Sequence, residues 1–218
     1  MFKVRIKFEK NEYSAYISHL DLMNSLQRSL VRAKLPVRYT EGFNPHIYLS
    51  ILVPLSTGYQ SQCELADFDL TTDTLPEDLA HRLNGVLPHG LRVLEVGQAS
   101  RPVNQIAFCG YEVHYSSPWD ASIPALFEGE VKILKHSKRG DREVVLGDYV
   151  RSLEFFPERE GFCCRCVLKA GDDPLNPSYI TDILRFHDKI EREDRPLYVR
   201  QSILDGEGKD FFQIGKGK

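Results

Sequence analysis

The sequence predicts an α+β protein built as two tandem ferredoxin-like (βαββαβ) halves with antiparallel sheets. Three observations lead there. Phe2, Val4, Ile6 and Phe8 alternate with Lys3, Arg5, Lys7 and Glu9, the period of a strand with one apolar and one mostly basic face. Leu22, Leu26 and Leu30 recur every fourth residue, the stripe of a helix packed on a sheet. The succession strand, helix, strand, strand, helix, strand then runs through the chain twice.

Each element has its own signal. After the first strand, Ser18 opens a helix, with Asp21 three residues on as its capping partner, and Pro36 closes it. Residues 37–40 read as a short strand before a turn at Glu41-Gly42-Phe43-Asn44-Pro45. Strands follow over 47–53 and 62–70. A second helix over 76–87 carries Pro76 in its first turn, and a strand over 91–96 ends the first half. The second half reads as a strand over 106–115, a short helix over 119–127, and a hairpin of 131–136 and 142–146 around Arg139-Gly140-Asp141. A strand over 162–169, a helix over 179–187 and a strand over 197–204 complete it. This gives an N-terminal half 1–98, a C-terminal half 104–204, and a glycine-rich tail 205–218 expected to be mobile unless Phe211, Phe212 and Ile214 dock.

Composition narrows the function classes. With 42% hydrophobic and 27% charged residues, the chain can bury an ordinary core. No run of about 18 apolar residues is present, so no membrane helix is expected, and the expected location is the cytoplasm. The five cysteines are an odd number, and the alternating Met1–Arg5 start is not expected to be a secretion signal, which argues against a disulfide framework. In Cys163-Cys164-Arg165-Cys166, strand alternation places Cys164 and Cys166 in the core, so neither a metal nor a cofactor is expected. Signatures for phosphate loops, serine hydrolases and zinc proteases are missing. The net charge is −3, yet residues 1–40 hold eight basic and three acidic side chains. Such a local field can steer a polyanion although the whole chain cannot.

The densest motifs are Tyr16-Ile17-Ser18-His19-Leu20-Asp21-Leu22, then Arg28, then Tyr39-Thr40-Glu41-Gly42-Phe43-Asn44-Pro45-His46, with Gly58 and Glu64 beyond. Over residues 16–64 the chain resembles a bacterial family of unknown function, commonly encoded beside a radical SAM protein or fused to its C-terminus. Tyr48 stands where members often carry a basic residue, Gln27 where glutamate is common, and Val145 where an acid is expected. The resemblance implies a radical SAM protein as partner and, more loosely, a role in RNA metabolism.

The residues themselves suggest a binding surface. Aromatic rings beside guanidinium groups suit single-stranded RNA, where rings stack on bases and cations hold phosphates. Lys3, Arg5, Lys7, Arg28, Arg32 and Arg38 would supply charge. Tyr39, Phe43, Asn44, His46 and Tyr48 would meet the bases. The bland reading of the same turn makes Phe43 a core plug, and that of the basic strand pairs it with Asp67 and Asp69 or has the other half cover it. The expected function is therefore that of a non-catalytic accessory protein of a radical SAM enzyme, binding or presenting RNA. Two alternatives stand beside it. One is a metal-independent nuclease using His19, Asp21, Arg28 and His46. The other is a module that only docks the radical SAM partner.

Overall fold

The structure, a computed structural model, describes residues 1–136 and 140–212. It is a mixed α+β protein with mostly antiparallel strands and few helices. The chain forms two compact units, Met1–Ile106 with Lys209–Lys218, and Ala107–Gly208.

In the first unit, β1 (Phe2–Lys10) leads into α1 (His19–Arg32). The strands β2 (Leu49–Ile51) and β3 (Gln60–Leu70) follow, then α2 (Leu79–Asn84) and β4 (Leu91–Gln98). β1 pairs antiparallel with β3 on one side and β4 on the other, and β2 adds to β3. Alternation sends Val4, Ile6 and Phe8 to the face where Leu22, Leu26 and Leu30 of α1 pack with Ala66, Phe68 and Leu70. Each such leucine contributes about 1.5–3 kcal/mol by leaving water. Arg82 of α2 clasps the other end of α1, donating to the carbonyls of Ala33 (2.5 Å) and Lys34 (2.6 Å). A cation there suits the negative end of the helix dipole. The expected strand over 37–40 reduces to two bridges, Val37 to Leu70 and Tyr39 to Ile47. The glycine-rich end is built in as far as Phe212. Asp205 belongs to a strand, and the fully buried Phe211 ring lies between the guanidinium groups of Arg5 (4.8 Å) and Arg101 (4.7 Å). Ile214 falls outside the described residues.

The second unit has β5 (Ile106–Tyr115), β6 (Lys132–Lys135), β7 (Arg142–Val145), β8 (Val150–Pro157), β9 (Phe162–Lys169), α3 (Ser178–Phe186) and β10 (Leu197–Asp205). The order is β10, β5, β9, β8, with β6 and β7 as a separate hairpin. Asp173 anchors that hairpin, accepting from Lys135 of β6 and from Arg142 of β7 at 2.5 Å. Arg139, in the expected turn, lies outside the described residues.

Two expectations are corrected here. The helix expected over 119–127 is a set of turns ending in a single 3-10 turn, Pro124–Phe127. Pro124 has no backbone N–H to donate, and its ring would clash with the preceding helical turn. The strand β8 was not anticipated. None of its residues is fully buried, so its apolar alternation is weak. No helix among the described residues is long and apolar enough to cross a membrane.

Candidate nucleic-acid interface

The predicted residues of the first unit separate into two groups. On the outer face of β1, Arg5 is 4% exposed and locked to Asp67, with Nε 2.7 Å and Nη2 2.9 Å from its two carboxylate oxygens. Nη2 also donates to the Arg101 carbonyl at 3.0 Å. Lys7 sits 3.2 Å from Glu95 and 3.4 Å from Asp210. The two carboxylates draw the Lys7 ammonium pKa upward, against the opposing and largest influence of burial. Lys3 is exposed, 3.7 Å from Asp67. The β1 register places Lys3 opposite Asp69 and Arg5 opposite Asp67, so cross-strand pairing takes up this charge. Arg5, buried and held through Nε and Nη2, is thereby built into the framework of this face.

The second group is open. Arg28 and Arg32 lie one turn apart on the outward side of α1, away from the leucine stripe, and both are exposed. Across from them, Tyr39 pairs with Ile47 and closes the following loop. Thr40 N donates to the His46 carbonyl at 2.7 Å, and His46 N donates to Thr40 Oγ1 at 3.0 Å. The His46 ring is held too, its Nδ1 3.1 Å from Thr40 Oγ1. Gly42 takes a φ of +130°, which a side chain would disfavour. Pro45 disfavours a helical backbone at Asn44. The loop therefore projects its tip, and Phe43 is fully solvent-exposed at 102%. The core-plug reading of Phe43 is overturned.

Between α1 and this loop runs an open groove of about 380 Å³, lined by Gln27, Arg28, Val31, Arg32, Tyr39, Pro45, His46 and Ile47. That volume falls in the range of small-ligand sites. Four residues singled out from the sequence converge here, and among the described residues no carboxylate lines the walls. Tyr48 is exposed nearby, and the Arg38 guanidinium stacks on its ring at 4.6 Å. Arg38 also donates to Asp69 at 3.5 Å, so its charge is shared. Val31, half-exposed at 51%, was missed. Its signal lies in the sequence, because a valine off the Leu22-Leu26-Leu30 stripe faces outward. Gln27 and Pro45 stand in the motif region without being read as groove residues, and Ile47 reads only as the start of a strand.

Of the candidate catalytic residues, Arg28 and His46 share the groove, whereas His19 and Asp21 do not line it. Ser18 caps α1 by accepting from the Asp21 amide at 3.1 Å, and its hydroxyl donates to the Asp21 carboxylate at 2.7 Å. Asp21 is thus engaged in the cap. His19 is exposed at the first helical position, nine residues before Arg28. Nine residues span about 13.5 Å and two and a half turns, so the two side chains leave opposite sides of α1. Among the described residues no hydrogen bond joins His19 to Asp21 or His46. Glu64 is fully buried, and Gly58, at a φ of +87°, lies under the Tyr16 ring. These two belong to the framework below the motif helix.

Residues 3–177 match a protein family described as "Uncharacterized protein conserved in bacteria (DUF2344)". No curated protein matches the chain. A crystal structure of an unknown protein from Galdieria sulphuraria is similar at 10% identity, covering 91% of this chain and 98% of that one, with a TM-score of 0.28. A likeness at that TM-score carries no argument about function.

Proposed function

The chain belongs to this bacterial family, and we propose that it is an accessory protein that binds single-stranded RNA for a radical SAM enzyme. One observation carries the RNA reading. Arg28, Arg32, Tyr39 and His46 line one carboxylate-free groove beside a fully exposed Phe43. The two guanidinium groups suit phosphates, the Tyr39 and Phe43 rings suit base stacking, and the His46 imidazole suits a base edge. The loop is closed by its own hydrogen bonds, which lowers the ordering cost of binding. The radical SAM partner is proposed from the resemblance of residues 16–64. The strand orders β4-β1-β3-β2 and β10-β5-β9-β8 support reading the units as two ferredoxin-like halves. Among the described residues that line the groove no nucleophile stands beside a base, which supports binding over cleavage.

The test is fluorescence anisotropy of the full chain with mixed single-stranded RNA and with tRNA across a salt series. The expected result is binding that weakens steeply with salt. Retention of full affinity by an Arg28→Ala/Arg32→Ala variant would remove this groove from the RNA site. Undetectable binding at low salt would leave Phe43 as a docking residue for the enzyme partner.

A further inference from the structure

The second unit contains a cluster that no motif announces. His114 on β5 and Cys163 on β9 stand directly opposite each other in the antiparallel register. Glu158 follows the last residue of β8 and begins the turn back into β9, where its amide donates to the Gly161 carbonyl at 3.1 Å. Gly161 fixes this turn, because its φ is +93° and an added Cβ would meet the Tyr115 carbonyl oxygen at 1.8 Å. The strand register and this turn bring three different donors together. His114 Nδ1 lies 3.0 and 3.1 Å from the Glu158 carboxylate oxygens. The Cys163 sulfur joins them, with one ligand atom from each residue all within 4.8 Å of one another.

We infer that His114, Glu158 and Cys163 form a site for one divalent transition-metal ion of the zinc class. The donor set decides the class. Thiolate, imidazole and carboxylate together are the ligands of zinc, whereas calcium and magnesium take oxygen alone. Zinc bonds of about 2.0–2.3 Å place tetrahedral ligands roughly 3.3–3.8 Å apart, so small rotations about the His114 and Glu158 side chains close the shell. Both side chains are free to make them, at 34% and 36% exposure. Cys163 is 1% exposed and set between two strands, which makes it the rigid member. The fourth position is left to water.

The surroundings fit a cation. Glu112 flanks the cluster two residues from His114 on the same face of β5, and it is held by Arg165 (2.8 Å) and Gln201 (2.8 Å). Arg165 is thereby neutralised and stacks over Phe156 at 4.9 Å instead of occupying the site. Burial, followed by the charges of Glu158 and Glu112, pushes the Cys163 thiol up to about 11 while no ion is bound. On binding, zinc takes the thiolate and the thiol proton passes to solvent.

The experiment titrates metal-stripped full chain with Zn²⁺ against a chromophoric chelator, then with Co²⁺ while recording the spectrum. One equivalent of metal is expected, with a cobalt–thiolate charge-transfer band. His114→Gln and Glu158→Gln touch half-exposed side chains, and unchanged circular dichroism verifies that they fold. Each should weaken zinc by more than the roughly 10–100-fold that loss of an outer-shell partner costs, and should diminish the cobalt band. No stoichiometric binding by the parent chain would overturn the site. Equal binding by parent and both variants would also overturn it, since the metal would then sit on other cysteines.

Discussion

The outer face of β1 and the groove beside α1 both gather cations in the first unit, but they use them differently. β1 lies between two strands, so each outward side chain has cross-strand neighbours a few ångströms away. For Arg5 and Lys7 those neighbours are Asp67 and Glu95. On the outward side of α1, Arg28 and Arg32 are both exposed. A cation on a central strand is therefore part of the framework, while a cation on a helix flank facing a rigid loop is available to a ligand. Phe43 and Phe211 repeat the lesson with rings. One stands clear at a loop tip, and the other is fully buried between two guanidinium groups.

Four variants would break or sharpen this contrast. The largest effect is expected from Asp67→Ala, which leaves the Arg5 guanidinium buried without its carboxylate. Stability should fall by about 3–5 kcal/mol in urea unfolding, as when one partner of a buried ion pair is removed. A loss within experimental error would mean that Arg5 is not a framework residue. Phe43→Ala comes next. It should weaken single-stranded RNA by about 1–3 kcal/mol, the worth of one base stack, with no change in the unfolding midpoint. A drop in stability instead would show the ring to be packed in solution. Arg28→Ala/Arg32→Ala should lower the slope of log affinity against log salt by about 1.4, because each single-strand phosphate contact contributes about 0.7. Lys3→Ala is expected to do least, changing neither stability beyond about 0.5 kcal/mol nor the salt slope. If it matched the arginine pair in effect, the β1 face would rejoin the RNA surface.

Much of the first unit was legible along the chain because its signals are local. Alternation over residues 2–9 and the leucine stripe depend only on strand and helix periods, and both elements form where expected. The Ser18 cap likewise needs only residues three apart. Legibility failed where a neighbour far away in sequence decides. The weak alternation of β8 reflects a strand with no fully buried residue, and the helix expected over 119–127 gave way to Pro124. The candidate site divides along the same line. Exposed loop chemistry at Tyr39–His46 was readable, but whether Phe43 faced the core or water was not.

By itself, then, the sequence determined the α+β class, most of the strands, the capped helix and the charge surplus near the N-terminus. These follow from steric and hydrophobic periods that act within one element. Only the tertiary structure decided which cations remain free, that the 39–47 loop stands opposite Arg28 and Arg32, and that His114, Glu158 and Cys163 meet. Those outcomes depend on strand register and on how a helix flank faces a loop. Pairing between segments far apart in the chain leaves no periodic trace in any one of them.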